Sequence, residues 1–203
     1  AGKPAQQQAA QQSLSDNLVT VRQPIAPRQY VYGQTRVGGT ITFVNSWGGN
    51  NTIIDLIVTF TGHVVEEIGD IYLNDDLVEF GADGNVVQHV GLPSAKFYGY
   101  VYCVKSLGSE AGQPFGSTRG SWTTGGLVAE SGGLWTDAHR QSGCAKTWIR
   151  LRNSAALFPS GIPNITAVIK GKKVYDPRTA ATVWSDNASL CINDFLCDVP
   201  VGM

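Results

Sequence analysis

From residue 19 onward, apolar side chains recur at every second position or in short continuous runs. Alternation with a period of two is typical of half-buried β-strands, and a continuous apolar run is typical of a strand covered on both faces. Residues 53–60 form a nearly continuous apolar run. We predict strands at residues 19–22, 30–32, 40–46, 52–60, 62–67, 70–73, 77–80, 86–90, 97–104, 145–151, 164–170 and 173–175.

Clusters of glycine, asparagine and aspartate separate these runs, and such residues tolerate the positive φ angles that tight turns need. We predict a long hairpin turn at residues 44–51 and a hairpin through residues 170–172. Ser185 and Asp186 can cap a helix over residues 187–196, since their oxygens accept hydrogen bonds from the first turn. The expected fold is mainly β with minor α, barrel-like or sandwich-like, with a C-terminal helix.

Two segments depart from the strand pattern. Residues 1–18 are rich in alanine and glutamine, which are good helix formers, and Leu14 and Leu18 supply a thin apolar side. We interpret this segment as an arm that docks on a neighbour; a flexible tail is the alternative. Residues 19–203 form the main domain, with residues 105–143 as a glycine-rich insertion that has a short helical turn at 135–140.

Composition narrows the classes of function. Charged residues make up 15% of the chain, against about 25% in a typical soluble domain, and the net charge is −1. The sequence has no basic stripe of the kind that binds duplex DNA, and it has no apolar run long enough to span a membrane. A surface poor in charge is easier to bury against neighbouring subunits, which favours a component of an assembly.

The four cysteines show no metal-ligand spacing. They are Cys103, Cys144, Cys191 and Cys197. We interpret them as free thiols that pack as small apolar groups, with disulfides as the next alternative. A four-thiolate iron–sulfur site is a minor option that the number of cysteines alone allows. We expect no cofactor and no other metal.

A search for catalytic motifs favours no enzyme. His63 and Glu66 point to opposite faces of a strand, so we expect a structural histidine. Asp137 and His139 could supply two members of a hydrolase triad, but the chain has no GxSxG nucleophile elbow. Trp122 and Trp135 are the large anchors of the glycine-rich insertion. We expect them, with Leu14 and Leu18, to contact partner proteins, since tryptophan is enriched at interfaces.

Four stretches resemble the N-terminal region of the central hub proteins of phage tail tips, the host-specificity or J-type family. They fall at residues 21–39, 62–75, 157–178 and 184–191, and include the runs GHVVEEI, LFPSGIPN, GKKVYDPR and WSDNASLC. Their order and spacing are similar to those of the family, and together they reach across most of the chain. Residues 109–135 are more glycine-rich than the family pattern, and Cys103 and Cys144 stand where apolar residues are expected.

The resemblance implies a hub domain that closes the distal end of a tail tube as a subunit of a homotrimeric ring. Other tail-tip and tail-tube proteins are then the expected partners, and DNA or the tape-measure protein would pass through the channel. The resemblance also implies assembly in the host cytoplasm, residence in the virion, and roles in host attachment and genome ejection. Family members continue for many hundreds of residues, so host recognition is expected to lie elsewhere.

Two other functions stay open from the residues alone. One is a carbohydrate-binding adhesin that uses Trp122 and Trp135, since aromatic faces stack on sugars. The other is a cell-wall hydrolase carried on a tail, in which His139 would take part.

Overall fold

The computed structural model describes residues 20, 26–88, 93–109, 111–112, 114–115 and 126–197. Two four-stranded antiparallel sheets form its body, in the orders β2–β3–β7–β6 (the first sheet) and β1–β8–β4–β5 (the second sheet). Neither sheet closes on itself, so the expected barrel-like or sandwich-like architecture is an open sandwich in the described residues. The strands are β1 Gln34–Gly38, β2 Thr40–Trp47, β3 Ile53–Thr59, β4 Glu67–Leu73, β5 Asp76–Val78, β6 Val101–Ser106, β7 Lys146–Arg152, β8 Ile165–Lys170, β9 Lys173–Asp176 and β10 Ala181–Trp184.

The main core lies between the two sheets. Leu56 on β3 and Ile149 on β7 belong to the same buried cluster as Ile71 on β4 and Ile169 on β8. Each of these side chains is at most 1% exposed. Burying one aliphatic side chain of this size stabilises a fold by about 1.5–3 kcal/mol, so this layer holds the two sheets together.

A second core covers the opposite face of the first sheet. Tyr102 and Trp148 on this face pack with Phe115, Leu127 and Trp135 from the glycine-rich segment. The central strands β3 and β7 are therefore covered on both sides. This double coverage explains why residues 53–60 lack the alternation of a half-exposed strand.

The remaining elements lie outside the two sheets. Helix α1, Leu127–Glu130, belongs to the glycine-rich segment. Strands β9 and β10 pair only with each other in the described residues, and helix α2, Ala188–Cys197, packs beside β9. No helix in the described part of the chain is long and apolar enough to cross a membrane.

Most strand predictions are confirmed to within a few residues, but three are wrong. Residues 62–66 form a loop and only Glu67 belongs to a strand, because Thr61 Oγ1 donates to the His63 carbonyl and Val65 N donates to the Leu107 carbonyl. The His63 carbonyl and the Val65 N–H therefore form hydrogen bonds within and between loops, and they are not available for pairing with a neighbouring strand. Residues 30–32 are also non-strand, and the predicted strand at 86–90 is reduced to bridges at Asn85 and Val86, with 89–90 outside the described residues. The prediction for 19–22 also falls almost entirely outside them.

The predicted hairpin through residues 170–172 is wrong as well. Strand β8 pairs with β1 and β4, whereas β9 pairs with β10. Gly171 instead lets the chain leave the sheet: its N–H donates to the Gly33 carbonyl, and an added Cβ would lie 2.0 Å from the Val31 carbonyl oxygen. The helix predicted at 187–196 is confirmed as α2. Residues 135–140 form no helix, and the short helix of the insertion lies before them, at α1.

Candidate functional site

A buried ion cluster fixes the glycine-rich segment to the first sheet. Asp55 on β3 and Arg150 on β7 are direct cross-strand partners, and both side chains are fully buried. Arg150 donates from Nε to Asp55 Oδ1 at 2.7 Å and from Nη2 to Oδ2 at 3.0 Å. Its Nη2 also lies 2.7 Å from Glu130 Oε2 on α1. One guanidinium thus links two strands and the insertion.

Two indole N–H groups also donate hydrogen bonds to the Asp55 carboxylate. Trp47 Nε1 donates to Oδ2 at 2.7 Å, and Trp148 Nε1 donates to Oδ1 at 2.9 Å. The Arg150 guanidinium lies over both rings, 5.0 Å from the Trp47 centroid and 4.7 Å from that of Trp148. A buried carboxylate needs such a set of donors to offset its lost hydration. Four hydrogen bonds from within the chain satisfy the Asp55 carboxylate, so we interpret the cluster as structural.

Trp135, which we expected to contact partner proteins, is buried in its own chain. Its side chain is 3% exposed, its Nε1 donates to the Pro114 carbonyl at 2.9 Å, and its ring lies 4.9 Å from that of Phe43. Trp135, which we predicted to contact a partner protein, therefore packs the glycine-rich insertion against the first sheet of its own chain. Trp122, Leu14 and Leu18 lie outside the described residues, as does the arm at 1–18.

The four cysteines do not come together. Cys103 lies in the core between the sheets, Cys144 lies just before β7, and Cys191 and Cys197 lie on α2. All four are free thiols, and no group of three or more potential metal ligands occurs among the described residues. The iron–sulfur option therefore has no support in this fold, because the strand and helix positions separate the thiols. Burial raises the pKa of the Cys103 thiol to about 12.

The two histidines considered for chemistry have structural contacts. Val31 N donates to His63 Nε2 at 2.9 Å, and His63 Nδ1 lies 2.8 Å from the Val64 carbonyl, so a neutral ring bridges two loops. His139 Nδ1 accepts from Thr136 N at 3.0 Å, and its ring stacks on Trp135. These contacts hold turns in place, as we expected for His63.

Several exposed apolar side chains lie together on α2. Leu190, Cys191 and Asp194 are half-buried toward the body, and Asp194 Oδ2 accepts from Tyr32 Oη and from Lys172 Nζ, each at 2.7 Å. The opposite side carries Ile192, Phe195 and Leu196, which are 59%, 42% and 59% exposed. These three residues have the i, i+3, i+4 spacing of a single helix face. We call them the outer helix face.

A groove of about 430 Å³ runs along the first half of β2. Its walls include Ile41, Phe43 and Phe60, and its polar groups include Arg28 and Gln141. At one end, Arg28 Nη1 donates to Cys144 Sγ at 3.0 Å. Sequence patterns gave no signal for this groove, because it joins a loop, a strand edge and the end of the insertion.

Comparison with known proteins adds little to these observations. No family model matches the chain, and no curated protein matches it. A solved structure titled "Virion of native gene transfer agent (GTA) particle" is similar to it, with 12% sequence identity and a TM-score of 0.46. The match covers 90% of this chain and 39% of the other, so this chain spans about two fifths of the length of the protein it matches. Because a likeness at this TM-score does not establish a shared fold, the proposals below rest on this chain's own residues.

Proposed function

We propose that the chain is a structural subunit of a phage-like virion, and that it forms part of the central hub at the tail tip. The outer helix face carries this proposal. Ile192, Phe195 and Leu196 stay exposed on a helix whose only charged group, Asp194, is used inward by Tyr32 and Lys172. Exposure of an apolar face to water is unfavourable in free energy, and burying it against another subunit requires no charge to be desolvated.

The elements beside this face support an assembly role. Strands β9 and β10 form a two-stranded ribbon whose Tyr175 and Val183 are 51% and 47% exposed. A ribbon of two strands and a helix with no buried residue are both marginal when isolated. The stretches that resemble tail hub proteins include β9 and the start of α2. We therefore propose that neighbouring subunits cover these elements.

The proposal extends to the assembly as a whole. Copies of the chain would form a homotrimeric ring that closes the tail tube, with other tail-tip proteins docked on it. The channel would admit DNA or the tape-measure protein until host attachment opens it for genome ejection. The chain would act through binding alone, without catalysis, within virions assembled in the host cytoplasm.

Immunolabelling of particles tests the virion role. An antibody raised against this chain is applied to purified tailed particles from a lysate that carries its coding sequence, and the gold label is located by electron microscopy. We expect label at the distal end of the tail, and none after the antibody is absorbed with the purified chain. Particles that contain no copy of the chain by peptide mass spectrometry would overturn the proposal.

A pair of matched variants tests the outer helix face in particle assembly. Phe195→Asp places a carboxylate on the face, whereas Asn193→Asp places the same charge on the flank of the same helix. We expect Phe195→Asp to reduce the yield of complete tails at least tenfold and Asn193→Asp to leave it near the wild-type level. Equal yields from the two variants would contradict a role of this face in assembly.

A further inference from the structure

Strand β2 has an edge that no other strand covers in the described residues. It is the first strand of its sheet, and β3 is its single neighbour there. Its eight residues include no charge and no proline, the usual devices that keep other strands away from an edge. Val44, near the middle of the strand, is 39% exposed. An edge of this kind accepts another strand through main-chain hydrogen bonds.

Strand β10 has a second edge with the same properties. Within the part of the chain that the structure describes, it pairs with β9 alone. Its four residues carry no charge, and Val183 among them is 47% exposed. Two uncharged edges can pair without the desolvation of a charged side chain. Because the two strands lie in different sheets of one chain, a second copy is needed to bring them together.

The two strands carry complementary charges beside them. Arg28 is exposed in the groove along the first half of β2, and its recorded polar contact in the described residues is with the Cys144 thiol at 3.0 Å. Asp186, two residues after β10, is exposed, and no described cation lies within ion-pair distance of it. By contrast, Lys170 and Lys173 have carboxylate partners at 2.6 and 2.8 Å. A guanidinium and a carboxylate without partners favour an interface that joins them.

One antiparallel register matches the apolar and the charged side chains at the same time. If Val183 of one copy lies opposite Val44 of the next, the two exposed side chains share a face of the joined sheet. Three residues further along one strand then correspond to three residues back along the other, so Asp186 comes opposite Ile41. Ile41 lines the same groove as Arg28, and the register therefore brings the carboxylate towards the guanidinium.

The end of β10 is also close to the outer helix face. Trp184 Nε1 donates to the Gly33 carbonyl at 3.3 Å, and a Cβ added at Gly33 would lie 3.7 Å from the Asp186 Cα. These contacts hold the end of β10 on the body of the chain. Helix α2 begins two residues after Asp186, at Ala188. A neighbouring copy that covers β10 is therefore well placed to cover α2 as well.

We propose that β10 of one copy adds to the edge of β2 of the next copy, with Val183 opposite Val44 and with Asp186 paired to Arg28. The contact is heterologous, since it joins two different surfaces, and repeated heterologous contacts close into a ring. This inference rests on the proposed function, because it names the surface of the next copy that the region around α2 meets. It also leaves neither uncharged edge open to unspecific strand pairing.

Disulfide trapping between copies tests the strand pairing. Two differently tagged chains with Cys197→Ser are co-expressed, one with Val44→Cys and the other with Val183→Cys, and the purified complex is oxidised. Opposed residues of antiparallel strands have Cβ atoms about 4.5–5.5 Å apart, so a small backbone shift permits a disulfide. We expect a linked pair that contains both tags, identified on a non-reducing gel and by peptide mass spectrometry.

A cysteine on a different edge strand is the matched control. Thr35→Cys replaces Val44→Cys and lies at an exposed position of β1, which is an edge strand of the second sheet. We expect at most a tenth of the yield of linked chains from this combination.

Charge reversal tests the ion pair. Arg28→Glu and Asp186→Arg should each weaken the association of copies about tenfold, measured as a dissociation constant by sedimentation velocity. The double variant should restore wild-type association, which a chain merely unfolded by Arg28→Glu would not do. Asp70→Arg reverses an exposed carboxylate on β4 of the second sheet and should leave association unchanged.

The outcomes separate this inference from the proposed function. A wild-type trimer without the disulfide between Val44→Cys and Val183→Cys would overturn the strand pairing and leave the ring in place. Disulfides between two Val44→Cys chains would overturn it too, because they would show that two β2 edges pair with each other. A wild-type chain that stays monomeric would contradict both the pairing and the proposed ring.

Discussion

Arg150 and Asp55 form a doubly hydrogen-bonded ion pair that is fully buried between a β-sheet and the segment packed on it. The pair joins β3 to β7, and the contact of Arg150 with Glu130 extends it to α1. Removing one partner of such a pair leaves the other charge buried without compensation, which costs more than the pair itself contributes.

Arg150→Met should therefore destabilise the chain strongly. It leaves the buried Asp55 carboxylate and the partly buried Glu130 carboxylate without their cation, and we expect a loss of about 3–5 kcal/mol in the free energy of unfolding. Urea unfolding followed by tryptophan fluorescence measures it. Arg36→Met is the matched control, since Asp75, the ion-pair partner of Arg36, is 80% exposed and surface pairs contribute little. Similar losses in the two variants would show that burial of the pair is unimportant.

Trp135→Ala should release the glycine-rich segment. The variant removes a buried indole and leaves a cavity beside Phe43, so we expect a loss of about 3–5 kcal/mol. Limited proteolysis of the native protein should then cleave within residues 105–143 at least tenfold faster. Leu134→Ala, next to it in sequence but 63% exposed, should behave as wild type. Unchanged cleavage in Trp135→Ala would mean that the indole does not anchor the segment.

Lys146 gives the stability a defined pH dependence. Burial lowers the pKa of this amine from 10.5 to about 8, while Nζ donates to the Arg140 carbonyl and lies 5.4 Å from the Phe115 centroid. The folded chain then binds fewer protons than the unfolded chain between pH 8 and 10.5. The contribution of this group to the free energy of unfolding must rise across that window and be at its lowest below pH 8.

Lys146→Met tests this dependence. We expect the variant to be at least as stable as wild type at pH 7 and to lack the rise between pH 8 and 10. Urea midpoints at half-unit pH steps measure both effects, with Lys105→Met on the exposed side of β6 as the control. Parallel pH profiles for wild type and Lys146→Met would rule out a depressed pKa at this site.

The thiols should differ widely in reactivity. Cys197 is exposed, whereas Cys103 is buried in the core and its pKa is raised to about 12. A thiol reagent at pH 8 should modify Cys197 within minutes and Cys103 only after unfolding, because the thiolate is the reactive form. Cys197→Ser should remove the fast reaction. Fast modification of Cys103 in the native protein would contradict its place between the sheets.

The sequence predicted the strands whose apolar pattern is local and failed where pairing is distant. The nearly continuous apolar run at 53–60 and the capped helix at 187–196 correspond to β3 and α2. Strand β1, Gln34–Gly38, was missed because its short polar sequence becomes a strand only by pairing with β8, more than 120 residues away. Strand β10 was also missed, although its partner β9 lies only a four-residue turn away, so sequence distance does not explain that omission.

Candidate sites were harder to predict than strands. Asp55 is the single charge inside the apolar strand β3, and that signal could have suggested a buried carboxylate with a cationic partner. Trp135 was assigned to an interface because composition cannot distinguish a tryptophan that binds a partner from one that binds its own sheet. The groove beside Arg28 depends on loops that meet only in the folded chain.

The mass of the chain in solution tests the assembly role of the outer helix face most directly. Sedimentation velocity is run on the purified full chain, on Phe195→Asp and on Asn193→Asp at several concentrations. We predict a species of three times the monomer mass for wild type and Asn193→Asp, and monomer for Phe195→Asp. A wild-type chain that stays monomeric at every concentration, with the same mass as Phe195→Asp, would contradict the account.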